Sequence, residues 1–122
     1  MTEADFKRKL VAEIKMLPGG YARRVEDRWA VGVLDLIIKL PGLPIVFAEG
    51  KLIRGNLFAP SPAQFAEGNK ILAASMLAVL IGWKDRVMYV SDWVEKAHIE
   101  DSFYLGHDAK YADVLAKYVR TL

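Results

Sequence analysis

Asp35, Glu49 and Lys51 are the residues whose types and spacing best suit them to chemistry in this chain. They interrupt two apolar, β-branched runs, residues 33–40 and 45–51, which flank the turn Pro41-Gly42-Leu43-Pro44 as the arms of a β-hairpin do. Side chains alternate along a strand, so Val33, Asp35, Ile37 and Lys39 share one face, and Ile45, Phe47, Glu49 and Lys51 share one face of the partner. With both sets on one side of the sheet, Asp35 stands opposite Glu49 or one pair away. Directly opposed residues have Cβ atoms roughly 5 Å apart, and like charges placed so repel. Two facing carboxylates among Val, Leu, Ile and Phe therefore call for a cation. An all-oxygen site of this kind suits a hard divalent ion, Mg2+ or Mn2+, with water and phosphate completing its shell. Lys51 adds a positive charge on the same face.

The scaffold that holds these residues is bounded by composition. A chain of 122 residues is one domain, 1–122, and its 53% hydrophobic and 26% charged content are globular values. No apolar run reaches the length of a membrane span, since residues 71–83 stop short, and the acidic start Met1-Thr2-Glu3-Ala4-Asp5 does not resemble a secretory signal. A cytoplasmic protein with no membrane partner is expected. With no cysteine and two histidines, His98 and His107, lacking ligand spacing, disulfides and thiolate sites are excluded and little is left for zinc. A net charge of +2 is too small to diagnose nucleic-acid binding, so the distribution of charge matters more.

Thr2 and Asp5 form a capping-box-like start, and Phe6, Leu10, Ile14 and Leu17 recur at helical spacing, which predicts a helix over residues 3–16 ended by Pro18-Gly19-Gly20. Residues 21–31 read as an extended edge in which Arg23, Arg24 and Arg28, with Tyr21 and Trp29, suit phosphate contact; Glu26 and Asp27 also allow an ordinary mixed-charge strand. Ser61 as cap and Pro62 at the first position open a second helix, predicted over residues 62–81, with Gln64, Glu67 and Lys70 on its first turns. Residues 86–91 read as a strand returning parallel to an earlier one through that helix, and residues 109–119 as a terminal helix. Residues 98–107 are hard to place.

Asp followed after an antiparallel turn by Glu-X-Lys resembles the signature of the PD-(D/E)XK nuclease superfamily. Gly32-Val33-Leu34-Asp35 stands where that family often has Gly-Val-Pro-Asp, with Leu34 departing from the proline, and Glu49-Gly50-Lys51 matches E-X-K. Ser61-Pro62-Ala63-Gln64 is similar to the Ser-Pro-X-Gln of the VRR-NUC branch and of related phage and Holliday-junction-resolvase-type nucleases. The resemblance implies an α/β restriction-endonuclease-like core, a central mixed sheet of an antiparallel hairpin plus a parallel strand flanked by helices. It implies Asp35, Glu49 and the Gly50 carbonyl as metal ligands, Lys51 as the residue orienting the nucleophile or stabilising phosphorane charge, and a glutamate on the first helix, Glu3 or else Glu13, near the metal. A solvated helix-start role for either glutamate stays open.

The implied activity is Mg2+-dependent hydrolysis of DNA phosphodiesters, with branched, flapped or nicked DNA as candidate substrates. Arg23, Arg24, Arg54, Gln64 and Lys70 are the candidate DNA contacts. A homodimer would let so small a domain cover both strands, with residues 98–122 as a candidate contact, and the host cytoplasm is the setting if the chain is phage-encoded. Two other readings compete: a non-catalytic DNA- or protein-binding module on the same scaffold, and exposed edge carboxylates paired with Lys39 and Lys51.

Overall fold

The computed structural model describes residues 1–25 and 32–122, so the readings placed on Glu26, Asp27, Arg28 and Trp29 lie outside the described residues. Helix α1 (Glu3–Lys15) begins where the sequence predicts: Asp5 N–H donates to Thr2 Oγ1 at 3.1 Å and Thr2 N–H donates to Asp5 Oδ2 at 3.0 Å. This reciprocal cap satisfies two of the four N–H groups that a helix start leaves orphaned. Phe6, Leu10 and Ile14 form its inward stripe and are fully buried.

Five strands make the central sheet in the order β1-β2-β3-β5-β6: β1 (Tyr21–Arg24), β2 (Leu36–Lys39), β3 (Ile45–Leu52), β5 (Leu77–Lys84) and β6 (Val87–Asp92). The β2–β3 hairpin is antiparallel, with Leu36 opposite Ala48 and Lys39 opposite Ile45. α1 and α3 (Tyr111–Val119) cover one face of the sheet over Leu36, Ile38, Val46, Ala48, Val79 and Ile81. Helix α2 (Pro62–Ala73) covers the other face over Ala78 and Leu80. The mixed sheet between helices agrees with the expected fold class. Among the described residues, no helix is long and apolar enough to cross a membrane.

The second half of the chain corrects the predicted element boundaries. The helix expected over residues 62–81 ends at Ala73, Ser75 takes a left-handed φ of 62°, and Leu77–Lys84 is a strand parallel to β3. Residues 78–82 are buried without alternation because helices cover both faces of a central parallel strand, and such an apolar run carries no period to separate it from a buried helix. The strand predicted over residues 86–91 exists as β6, yet it pairs antiparallel with β5 through a tight turn and does not return parallel.

A small second sheet joins β4 (Leu57–Phe58) to β7 (Ala97–His98), and a 3-10 turn (Ile99–Asp101) follows it. This ties the connection after β3 to the chain beyond β6. Residues 98–122 thus finish the core: Tyr111, Ala112, Val114, Leu115, Tyr118 and Val119 of α3 are buried against α1 and the sheet.

Candidate active site

The hairpin register carried one step past Leu36↔Ala48 sets Asp35 opposite Glu49. There β2 has ended, and the two strands are joined by side chains instead of ladder bonds. Asp35 N–H donates to Glu49 Oε1 at 3.2 Å, and Gly50 N–H donates to Asp35 Oδ1 at 3.2 Å. Each acid is held by the backbone of the other's strand, so folding brings the two carboxylates together as the alternation predicts.

Glu49 lies out of water, and Asp35 is half-buried. Glu49 is 1% exposed on a strand flanked by β2 and β5. Burial, and then the neighbouring Asp35 charge, push its carboxyl up to about 7 despite the opposing Lys51 and Lys7. Burial also raises Asp35, with Lys7 opposing. The reading of these acids as exposed edge residues is therefore set aside: Lys39 donates to the Leu40 carbonyl, while Lys51 Nζ lies 3.4 Å from Glu49 Oε2.

Glu3 reaches this cluster through a residue that sequence reasoning missed. Lys7, one helical turn on, holds Glu3 Oε1 at 2.9 Å and is ion-paired to Asp35 Oδ2. Burial works against the Lys7 charge, yet Asp35 and Glu3 hold it above the usual lysine value. Partial burial acts to raise Glu3, but the Lys7 contact holds it below the usual carboxylate range. The available signal was the Glu3–Lys7 spacing of four, the favourable helix ion-pair order, beside the inward Phe6. Glu13 lies elsewhere, accepting the Ala112 N–H at the start of α3 at 3.0 Å.

Gly50 makes room for this arrangement. A Cβ there would stand 3.1 Å from Lys7 Cε and 3.3 Å from Phe6 Cε2, so the glycine between Glu49 and Lys51 lets α1 lie against the acids.

The other expected contacts separate into two groups. Arg54 lies with Glu3 and Lys51 along a groove of about 430 Å³, where Lys96 joins them through the β4–β7 pairing, with no local sequence signal to announce it. Arg23 and Arg24 sit on the edge strand β1, whose continuation flanks the site, since Val25 N–H donates to the Asp35 carbonyl at 2.8 Å. Gln64 Oε1 accepts the Ser61 N–H at 2.9 Å while Ser61 Oγ accepts the Gln64 N–H at 3.2 Å. The Ser-Pro-X-Gln stretch is thus a helix cap. Lys70 is in the last turn of α2, which leads to Leu77 opposite Val46, at the far end of β3 from Glu49. The fold does not bring Lys70 to the acids.

Once Glu49 is ionised, three carboxylates (Glu3, Asp35, Glu49) against two ammoniums (Lys7, Lys51) leave one excess negative charge in the cluster. Among the described residues, no group of three or more His, Asp and Glu side chains is gathered closely enough to hold an ion alone. The donor set is the two-carboxylate kind that Mg2+ accepts when water and phosphate supply the rest. The buried, mutually repelling Asp35 and Glu49 fit such a cation.

No family model and no curated protein matches this sequence. Among solved structures, the chain is similar to Hjc of Archaeoglobus fulgidus, a Holliday junction resolvase from an archaeal hyperthermophile, at a TM-score of 0.61 and 15% identity. The likeness covers 93% of this chain and 98% of that one. The chain has the restriction-endonuclease-like fold of that protein, with a mixed central sheet between helices.

Proposed function

We propose that this protein is a metal-dependent DNA endonuclease with Asp35 and Glu49 as its metal-holding acids. The observation that carries the reading is the buried pair itself: two carboxylates interlocked through Asp35 N–H and Gly50 N–H, with Glu49 raised to about 7. A structure that served stability alone has little use for such a pair.

Asp35 and Glu49, with the Gly50 carbonyl as a further candidate ligand, would hold a hard divalent cation, Mg2+ or Mn2+, which would supply charge neutralisation and a more acidic bound water. The chain's own residues do the positioning. Lys51 neutralises charge that grows on the phosphoryl oxygens as the P–O bond breaks, an effect strengthened by the low dielectric of its surroundings. Lys7 orients Asp35 and is itself fixed by Glu3. Arg54 and Lys96 receive phosphates in the groove beside Lys51, and Arg23 and Arg24 flank it; such contacts place the DNA without reading its sequence.

The fold shared with a Holliday junction resolvase supports branched DNA as the substrate class. Closer kinship with VRR-NUC or phage nucleases rests on Ser61 to Gln64, which the helix cap explains equally well. A homodimer is part of the proposal, because a symmetric pair meets a symmetric junction. Since α3 spends its apolar face inside, exposed Ile45 and Met76, which line one hollow with Pro44 of the β2–β3 turn, are the better contact for a second copy.

One observation favours a non-catalytic binding module: the Lys7 ammonium already sits against Asp35 and supplies part of the charge a metal would bring. Cleavage of four-way, flapped and linear DNA with Mg2+ or Mn2+ decides between the two. Loss of cleavage in both Asp35→Ala and Glu49→Ala supports the nuclease; cleavage that survives either change ends it.

A further inference from the structure

Leu52 lines both the groove beside Lys51 and a larger one, about 770 Å³, lined also by Lys9, Lys84, Arg86 and His107 with Trp83 and Tyr111. Its cations come from three separate elements: Lys9 from α1, Lys84 from the end of β5, and Arg86 from the β5–β6 turn. Asp85 is the acid on its rim. The aromatic floor is locked in place, as Trp83 Nε1 donates to Tyr111 Oη at 2.5 Å and Lys9 Nζ stands 4.6 Å over the Tyr111 ring. Lys84 is fixed too, by donation to the Gly55 carbonyl at 2.6 Å.

Arg86 is the informative member. Asp85 and Arg86 both have left-handed backbones, φ 51° and 65°, the pattern of a two-residue hairpin turn that favours Asn-Gly or Asp-Gly. Asp85 conforms, and glycine would be the unstrained choice at 86. An exposed arginine occupies that strained position instead. Side chains held in such conformations cluster where they serve a ligand.

We infer that this groove takes the DNA backbone where it leaves the cleavage site, with Arg86 as a phosphate contact at the hairpin tip and Lys9 as a second. The inference rests on the nuclease reading and extends it: the two grooves share Leu52, so these cations are the next positive charges for a polyanion that passes Lys51.

The test uses Arg86→Gly, which suits the turn, and Lys9→Gln, measured in EDTA on a fluorescent four-way junction over a salt series. Each variant is expected to bind about threefold to tenfold more weakly at moderate salt, with the slope of log K against log salt reduced by about 0.9 for each lost phosphate contact. Arg86→Gly is expected to melt no lower than the parent. Unchanged affinity and slope in both variants, with the parent still cleaving DNA in Mg2+, overturn this groove and leave the nuclease standing. A lower melting temperature for Arg86→Gly also overturns it, since the arginine would then serve the fold. A parent protein that neither binds nor cleaves DNA defeats both readings.

Discussion

Asp35 donates its main-chain N–H to Glu49 Oε1 at 3.2 Å, so one acid is seated by the backbone of the other. Burial and the Asp35 charge raise Glu49 from the ordinary 4.5 to about 7. Between those values the folded protein holds a proton that the unfolded chain has released, so stability falls as pH rises across that window. The loss is complete above it and amounts to at most roughly 3 kcal/mol. Glu49→Gln is expected to flatten this slope and to raise the urea midpoint at about pH 8 in EDTA. Urea melts at several pH values check it; a variant as steep as the parent would refute the assignment.

Mn2+ should act on the same pair from the other side. A cation that binds the ionised acids stabilises the parent in proportion to its excess over the dissociation constant. The gain is expected to grow with pH and to vanish in Asp35→Asn/Glu49→Gln. Thermal melts with and without Mn2+ give the result directly.

Removing Lys7 is expected to be costly without metal and partly rescued with it. Lys7→Gln leaves Asp35 Oδ2 buried without its ion-pair partner, a loss of about 2 kcal/mol or more. The same change makes the cluster more negative, so Mn2+ is expected to raise the melting temperature further in the variant than in the parent. Equal shifts would place Lys7 outside the site.

Gln64 offers a separation of folding from function. Gln64→Ala breaks the reciprocal cap with Ser61 and is expected to cost about 1 kcal/mol. If the residue serves only the helix, DNA affinity stays within about twofold of the parent at a temperature where both are folded. A large loss of affinity would restore it as a DNA contact.

Gly68→Ala inverts the usual helix preference. A Cβ at Gly68 would fall within the Trp93 indole, whose Nε1 donates to the Phe65 carbonyl at 3.1 Å and whose ring stacks on Phe65. Alanine favours an open helix by roughly 1 kcal/mol. Here displacement of Trp93 is expected to lower stability by about 1–3 kcal/mol, readable as a reduced melting temperature and a shifted tryptophan emission.

The hairpin and its acids are readable from residue types because a period of two fixes which side chains share a face, and the turn fixes the register. α1 is readable for a similar reason, with cap, stripe and stop all present between Thr2 and Gly20. The strand Leu77–Lys84 escapes because helices cover both of its faces, and uniform burial erases the pattern that would identify it. Lys7 and Lys96 join the site region from other elements, and their placement depends on how α1 crosses the sheet and how β4 meets β7. A chain read one residue at a time does not contain those distances.

Glu49 sits on β3 beside Leu80 of β5, a strand that follows α2 in the chain and flanks β3 only in the assembled sheet. In the unfolded chain that neighbour is gone and Glu49 is an ordinary acid in solvent. The tension between the two carboxylates is thus created by the final arrangement and has no earlier existence. Appetite for a divalent ion should therefore appear at the same denaturant concentration as the native fold, which makes ion uptake a gauge of completed assembly.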